Sequence, residues 1–115
     1  MSRPLMGTDI VTLRMESVAI NRFRDRLIRA AVEGAYEDTI AGHQVLVSNC
    51  PYTVGTDVAG ILAENRPFAA YWYRKGNVEH WGLRSREGGI DVAKIAETFG
   101  GSGHRAASGF RVEIV

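Results

Sequence analysis

Cysteine, proline and net charge are all scarce in this chain, and each scarcity excludes a class of protein. Its 115 residues include one cysteine and three prolines, and the formal net charge is only +1. A lone thiol, Cys50, cannot form an internal disulfide or a multi-thiolate metal site, so we expect a small buried residue beside Pro51. The near-neutral charge gives no overall attraction to nucleic acid or acidic lipid, so a polyanion must bind at a local site.

Long apolar runs are absent as well. No stretch reaches the ~18 apolar residues of a membrane-spanning helix. The opening Met1-Ser2-Arg3-Pro4 is not followed by the apolar segment of a signal peptide. We therefore expect a cytoplasmic protein with no membrane partner. The length predicts a single domain, residues 1–115, that is large enough for one core.

The chain lacks the common motifs of metal-dependent and nucleophilic catalysis. None of the histidines His43, His80 and His104 has an aspartate neighbour, and no His-x-x-x-His or Asp-x-Asp pair occurs. Enzymes that hold phosphates between two metal ions need a cluster of carboxylates and imidazoles. A serine–histidine–aspartate system stays open, although no G-x-S-x-G elbow marks its serine. We expect no catalytic residue, no metal site and no cofactor in this chain.

Hydrophobic periodicity predicts an α/β fold, a small mixed sheet with helices packed on it, in the order α-β-α-β-β-α-β. The long N-terminal helix extends from about Asp9 to Asp38, so that residues 1–40 form a connector-like segment ahead of a compact unit at 41–115. The remaining predicted elements are strand 44–49, helix 53–65 capped by Thr53 or Thr56, strands 68–73 and 78–85, helix 92–99 capped by Asp91, and strand 110–114.

The predicted first helix carries apolar residues on more than one stripe. This width predicts contact with another domain or subunit, and we expect a homodimer formed through the helix. Its arginines alternate with acidic residues at spacings of three and four, which favours a solvated, ion-paired face over a nucleic-acid patch.

The segment from Phe99 to Phe110, FGGSGHRAASGF, is the most informative part of the sequence. Glycine adopts positive φ at little cost, so successive N–H groups can turn toward one anion, with side-chain donors beside them. Phosphate suits such a cradle best. A simpler interpretation stays open, in which Phe99-Gly100 only ends the preceding helix. The candidate binding residues here are Gly101, Ser102, Gly103, His104 and Arg105.

The strand at 78–85 offers a second anion site. Strand alternation places Trp81 and Leu83 on one face, toward a core, together with Ser85. The opposite face receives His80, Gly82 and Arg84. Gly82 leaves room for a ligand to cross the strand, and the Arg84 guanidinium suits phosphate or a base edge. Pairing of Arg84 with an acid such as Glu87, and a plain edge role for His80, stay open as alternatives.

Four motifs, in order and correctly spaced, make a family resemblance. They are Arg66-Pro67-Phe68-Ala69-Ala70, Gly82-Leu83-Arg84-Ser85-Arg86, Gly89-Ile90-Asp91-Val92-Ala93-Lys94-Ile95-Ala96 and the Phe99–Phe110 loop. Together they resemble the C-terminal, DHH-associated domain of the DHH-family phosphoesterases, in particular the bacterial oligoribonuclease (nanoRNase) and pAp-phosphatase branch. The similarity covers residues 40–114, and the first helix resembles the family's interdomain connector.

The resemblance implies that substrate binding and cleavage belong to separate domains. In that family an N-terminal DHH domain holds two manganese ions and cleaves the phosphodiester, whereas the associated domain binds the substrate. Arg84 matches the arginine of the family's Leu-Arg-Ser motif, and Gly101 to His104 match its glycine loop; these groups hold the phosphate and terminal nucleotide of a short RNA. His80, Gly82 and Ser85 are secondary candidates. Manganese is thus expected only in a DHH domain, whose motifs this chain lacks.

The glycine loop departs from the family's motif at two positions. Ser102 stands in the family's four-glycine run, and Ala106 stands where the family has an asparagine that follows the histidine and arginine.

The leading hypothesis is a module that binds nucleotides or short single-stranded RNA and does not hydrolyse them alone. The first alternative is the substrate-binding half of a manganese-dependent phosphoesterase completed by a DHH domain in a separate chain. The second is a structural or interaction domain with a vestigial pocket.

Overall fold

The computed structural model describes residues 21–114, in which a six-stranded mixed sheet carries helices on both faces. The predicted α/β class is therefore confirmed. The elements are α1 (helical at residues 21–33), β1 (Tyr36–Ile40), β2 (His43–Asn49), α2 (Tyr52–Leu62), β3 (Ala69–Lys75), β4 (Val78–Arg84), α3 (Val92–Thr98), β5 (Ser102–Gly103) and β6 (Ala107–Glu113).

The strands lie in the order β1-β2-β3-β4-β6-β5. β2 and β3 are parallel and are joined by α2, whereas every other neighbouring pair is antiparallel. The predicted order α-β-α-β-β-α-β is wrong in omitting β1 and β5. Because β6 pairs with both β4 and β5, the sheet places the glycine loop two strand spacings from the arginine-bearing strand.

The predicted first helix is too long at its C-terminal end. Helical structure stops at residue 33, where Gly34 donates its N–H to the carbonyl of Ala30, and β1 begins at Tyr36. The turn from β1 to β2 uses Ala41 and Gly42, whose φ angles are +51° and +82°. Two successive positive φ values are what a tight hairpin needs. Residues 1–20 lie outside the described part, so the proposed connector and its dimer contact stay predictions.

Two apolar clusters hold the layers together. On one face of the sheet, α3 buries Val92, Ile95 and Ala96 against Phe68, which precedes β3, and against Leu83 of β4 and Phe110 of β6. On the other face, α2 buries Val58 and Leu62, and α1 packs beside it through Ile28 and Val32. Each face thus has its own core, and the strand alternation predicted for Leu83 and Trp81 is confirmed.

Helix ends follow local sequence signals in one case and not in the other. The Asp91 carboxylate accepts the N–H of Ala93 at 3.0 Å, which confirms the predicted cap of α3. The predicted threonine caps of α2 are wrong, because Pro51 occupies the N-cap position without a side-chain hydrogen bond. Ile61 of α2 is exposed, although its helical spacing from Val58 predicts a core position.

Cys50 is buried, as predicted. Burial raises the pKa of its thiol, an effect that a hydrogen bond with Ser48 partly offsets. None of the helices within residues 21–114 is long and apolar enough to cross a membrane.

Candidate functional site

An open cleft lies on the α2 face of the sheet. Helix α2 packs on β2, β3 and β4 and leaves the β6 and β5 side of that face without a helix. The uncovered half forms a cleft of about 660 Å³ that continues past Ser102 into a smaller recess of about 230 Å³. Residues that line both parts are Tyr71, Ser102 and Gly109.

The floor of the cleft is a strip with few side chains. Gly82 of β4 is in register with Gly109 of β6, and Gly109 is in register with Ser102 of β5. A Cβ at Gly82 would lie 2.2 Å from a ring carbon of Tyr71, and a Cβ at Gly55 of α2 would meet the same ring at 2.2 Å. The Tyr71 ring is therefore held between two glycines, where it closes the helix side of the cleft. It fills the space above Gly82 that the sequence predicted for a ligand, so the uncovered part of the floor is at Gly109.

Arg84 lies where the recess meets α2. One of its terminal nitrogens donates to the carbonyl of Thr56 at 2.8 Å, and Gly60 lets the guanidinium approach the helix, since a Cβ there would lie 3.1 Å from that nitrogen. A guanidinium has five N–H donors, so most remain for a ligand. Among the described residues, no carboxylate lies within ion-pair distance of Arg84, and the alternative pairing with Glu87 is not seen.

Arg84 and His104 belong to the same row across the sheet. Arg84 is in register with Ala107. His104 and Ala107 exchange both backbone hydrogen bonds, at 2.7 and 3.2 Å, and so lie directly opposite each other. Residues opposite each other in an antiparallel pair share a face, and two strand spacings amount to about 10 Å. The guanidinium-bearing and imidazole-bearing positions therefore share the α2 face of the sheet.

The glycine loop first serves to end α3. The N–H of Gly100, at φ +82°, donates to Glu97, and the N–H of Gly101 donates to Ala96, which together form a Schellman motif. The simpler interpretation of Phe99-Gly100 as a helix end is thus correct. The helix end also corrects the predicted anion cradle, because the Gly101 N–H is hydrogen-bonded to α3 and is not free to bind a ligand.

Other amides of the loop are used within the β5–β6 hairpin. The His104 N–H donates to Ala107. Hydrogen-bonded and non-hydrogen-bonded pairs alternate in an antiparallel ladder, so the Ser102–Gly109 pair is bonded and the Gly103–Ser108 pair between them is not. The Gly103 N–H therefore points outward at the edge of the sheet. Of the cradle predicted from the sequence, this amide remains, together with the exposed side chains of Ser102 and His104. Ser102 lines both the cleft and the recess, whereas Gly103 and His104 line neither of them.

Arg105 and Ser85 are placed by other parts of the structure. Arg105 donates to the carbonyl of Gly89 at 3.2 Å and lies 3.7 Å from the Asp91 carboxylate, so it is held beside the start of α3 and does not line the cleft. Ser85 is a wrong secondary candidate: only 5% of it is exposed, and its hydroxyl donates to Ile90 at 2.8 Å. Its burial on the α3 face follows from strand alternation.

The far end of the cleft contains residues that the sequence did not single out. Tyr73 and Arg111 flank the secondary candidate His80 in one row of the sheet, and all three line the cleft. The Tyr73 and His80 rings are stacked, with centroids 4.9 Å apart and planes 8° apart. Strand alternation is the signal that could have placed Tyr73 on the same face as Tyr71. No local signal in the sequence shows that β6 pairs with β4.

Comparison with known proteins shows a shared fold and a match to part of a longer protein. A scan against models of protein families and a search among curated proteins found no match. Sixteen chains of known structure match this one. Among them is an uncharacterized protein from Helicobacter pylori G27, with a TM-score of 0.50 and 23% sequence identity over 66% of this chain. The match spans 22% of that protein's length, and at this identity it shows a shared fold.

Proposed function

We propose that this chain is a recognition module for nucleotides or short single-stranded RNA, which binds a phosphate in the recess beside Arg84. The observation that carries the proposal is the common recess of Arg84 and Ser102, with His104 in the same row of the sheet. Arginine suits phosphate because its planar fork makes charge-assisted, bidentate hydrogen bonds. The resemblance of the four motifs to the DHH-associated domain points to the same class of ligand.

The architecture favours binding without hydrolysis by the chain alone. Within residues 21–114, no group of three or more histidine, cysteine, aspartate or glutamate side chains lies close enough together to hold a metal ion. Manganese would belong to a DHH domain, and the groups that this chain offers are hydrogen-bond donors. A few charge-assisted contacts, less the cost of ordering the ligand, correspond to about micromolar to millimolar affinity.

Arg84→Ala tests the proposal by calorimetric titration with pAp and with a 5′-phosphorylated dinucleotide. We expect the variant to bind each ligand at least about tenfold more weakly, since a hydrogen bond to a charged group contributes about 1.5–3 kcal/mol and about 1.4 kcal/mol corresponds to a factor of ten. Arg74→Ala is the matched control: this exposed arginine lies on neighbouring β3 outside the cleft and should bind within about twofold of wild type, in line with the small effects of exposed charges.

Equal binding by wild type and Arg84→Ala would contradict the proposal. Thermal melts of both variants separate lost contacts from lost folding. A folded wild-type protein that binds neither ligand would favour the structural alternative, in which the cleft is vestigial.

A second candidate function is favoured by the different lengths of the two chains in the structural match. Because the matched region is 22% of a longer Helicobacter protein, this fold also occurs as one part of a larger chain. The chain would then be the substrate-binding half of a manganese-dependent phosphoesterase completed by a DHH domain. Manganese-dependent cleavage of pAp or a dinucleotide, seen only when a separate DHH chain is added, would support this function; no cleavage with any such partner would contradict it.

A further inference from the structure

We propose that α1 of one copy of this chain packs into a groove on the α3 face of a second copy, and that the reciprocal contact closes a two-fold dimer. The inference is independent of the proposed function, because the groove lies on the face of the sheet opposite the cleft. The homodimer expected from the sequence thereby acquires a receiving surface on the partner.

The groove is apolar and has an acidic rim. Its volume is about 420 Å³, and it is lined by β1 on one side and by β4 and β6 on the other. Phe99 and Val112 are exposed on its wall, and Asp38 and Glu79 are its charged residues. Among residues 21–114, no cationic side chain lies within ion-pair distance of either carboxylate. The groove therefore suits an occupant that combines apolar side chains with positive charge.

The wall of the groove is preformed. The rings of Trp81, Phe110 and Phe99 are stacked in a row, with successive centroids 5.9 and 4.5 Å apart. The indole N–H of Trp81 donates to the Glu79 carboxylate at 3.2 Å, which holds this carboxylate at the rim. Because these side chains are already ordered, an occupant loses little of its binding free energy to fixing them.

One side of α1 carries the matching side chains. The helix packs beside α2 through Ile28 and leaves Phe23 and Leu27 58% and 38% exposed. Together with the exposed Ala30, these two residues are spaced four and three apart, so they form one apolar stripe. The next row of the helix has the same spacing and consists of exposed arginines: Arg22, Arg26 and Arg29.

The stripe and the groove flank the same edge of the sheet. β1 is an edge strand, and α1 runs directly into it on the α2 face, whereas Asp38 of β1 lines the groove on the α3 face. A two-fold axis parallel to β1 sets two such edges side by side with their faces reversed. The α1 helix of each copy then lies over the groove of the other, so the contact closes on itself as a dimer.

Two other ways of joining these edges are disfavoured by charge and hydrogen bonding. Direct pairing of two β1 strands is hindered because the Asp38 carboxylate already accepts the N–H of Thr39 at 2.7 Å, and the acidic Glu37 and Asp38 of both strands would approach each other. Packing of α1 on a second α1 would bring the two rows of arginines together. The acidic groove instead offers these rows an opposite charge.

Sedimentation equilibrium of the full chain tests the contact with one variant on each surface. We expect wild type to dimerise with a dissociation constant in about the micromolar range. Leu27→Glu sets an acid against the acidic rim, and Val112→Lys sets a cation against the arginines. Each variant alone should dimerise at least about tenfold more weakly. Glu113→Lys is the matched control, since it adds a lysine at the next residue of β6, on the cleft face, and should dimerise like wild type.

A mixture of the two variants tests whether the exchange is reciprocal. In a mixed dimer, the unchanged α1 of the Val112→Lys chain meets the unchanged groove of the Leu27→Glu chain. At the other contact the two new side chains have opposite charges. We therefore expect the mixture to recover most of the dimer that each variant lacks alone.

The other outcomes overturn the inference. Wild type that stays monomeric at millimolar concentration, or Leu27→Glu that dimerises like wild type, would contradict a contact through α1. A loss of dimer in Leu27→Glu but not in Val112→Lys would mean that α1 packs on itself. No recovery in the mixture of two folded variants would exclude the reciprocal exchange. Circular dichroism checks that each variant is folded, and Glu79→Lys repeats the test from the rim should Val112→Lys fail to fold.

Discussion

Replacing Gly82 with valine is expected to lower the free energy of unfolding by about 3 kcal/mol and to abolish ligand binding. A Cβ at this position would lie 2.2 Å from the Tyr71 ring, and the ring cannot retreat because Gly55 packs against its other edge, where an added Cβ would also lie 2.2 Å from it. Tyr71 must therefore leave its place between β4 and α2. Chemical denaturation measures the loss of stability, and the titrations described above measure the loss of binding.

A double-mutant cycle shows whether the ring is the cause. If it is, Tyr71→Ala should lose a similar free energy, and the combined Gly82→Val and Tyr71→Ala protein should be no less stable than either single variant. The control is Arg74→Val, which adds the same side chain at an exposed position of β3 and should change stability by less than about 0.5 kcal/mol. Additive losses in the cycle would contradict the close packing of Tyr71 against Gly82.

Adding one methyl group to the glycine loop is expected to destabilise the protein by very different amounts at two adjacent positions. A Cβ at Gly101 would lie 2.0 Å from the carbonyl oxygen of Gly109, a backbone atom that cannot turn aside. Gly101→Ala should therefore cost about 3 kcal/mol by forcing the β5–β6 hairpin away from the end of α3. Gly100→Ala has nothing within 4 Å of the new atom, and its φ of +82° leaves a cost of about 1 kcal/mol.

Denaturant melts of these two alanine variants test the role that the structure gives to the loop. A larger loss at Gly101 would mean that this glycine is needed for the close contact between the end of α3 and β6. The hydrogen bond from the Gly101 N–H to Ala96 implies the same. A larger loss at Gly100, or equal small losses at both positions, would contradict that account.

Local signals in the sequence predicted much of this structure. Helix α3 with its Asp91 cap and the two faces of β4 depend on residues close together in the chain, and both are confirmed. Hydrophobic periodicity failed at β1, where charged residues in an edge strand continue the helical pattern of α1. The threonine caps of α2 failed because Pro51 starts that helix without a side-chain bond.

The candidate site could not be fully predicted from the sequence, because it depends on pairing between strands that are distant in the chain. Arg84 and His104 share a row because β6 lies between their strands, a neighbour relation that no local pattern in either segment contains. The same relation brings Arg111 beside His80. Alternation alone placed Ser85 on the α3 face, but the matching family motif kept it as a candidate; the buried hydrogen bond to Ile90 shows why alternation was the better guide.

The most direct test of the central claim is chemical-shift mapping of the backbone amides with 15N-labelled protein and a 5′-phosphorylated dinucleotide. If the phosphate binds in the recess beside Arg84, we expect saturable shifts that cluster at Arg84, Ser102, Gly103 and Gly109, on the open half of the α2 face. We expect no shifts at Val112 or Phe99, which line a groove on the opposite face. Shifts confined to that opposite face, or no saturable shift at millimolar ligand, would contradict phosphate binding in the recess.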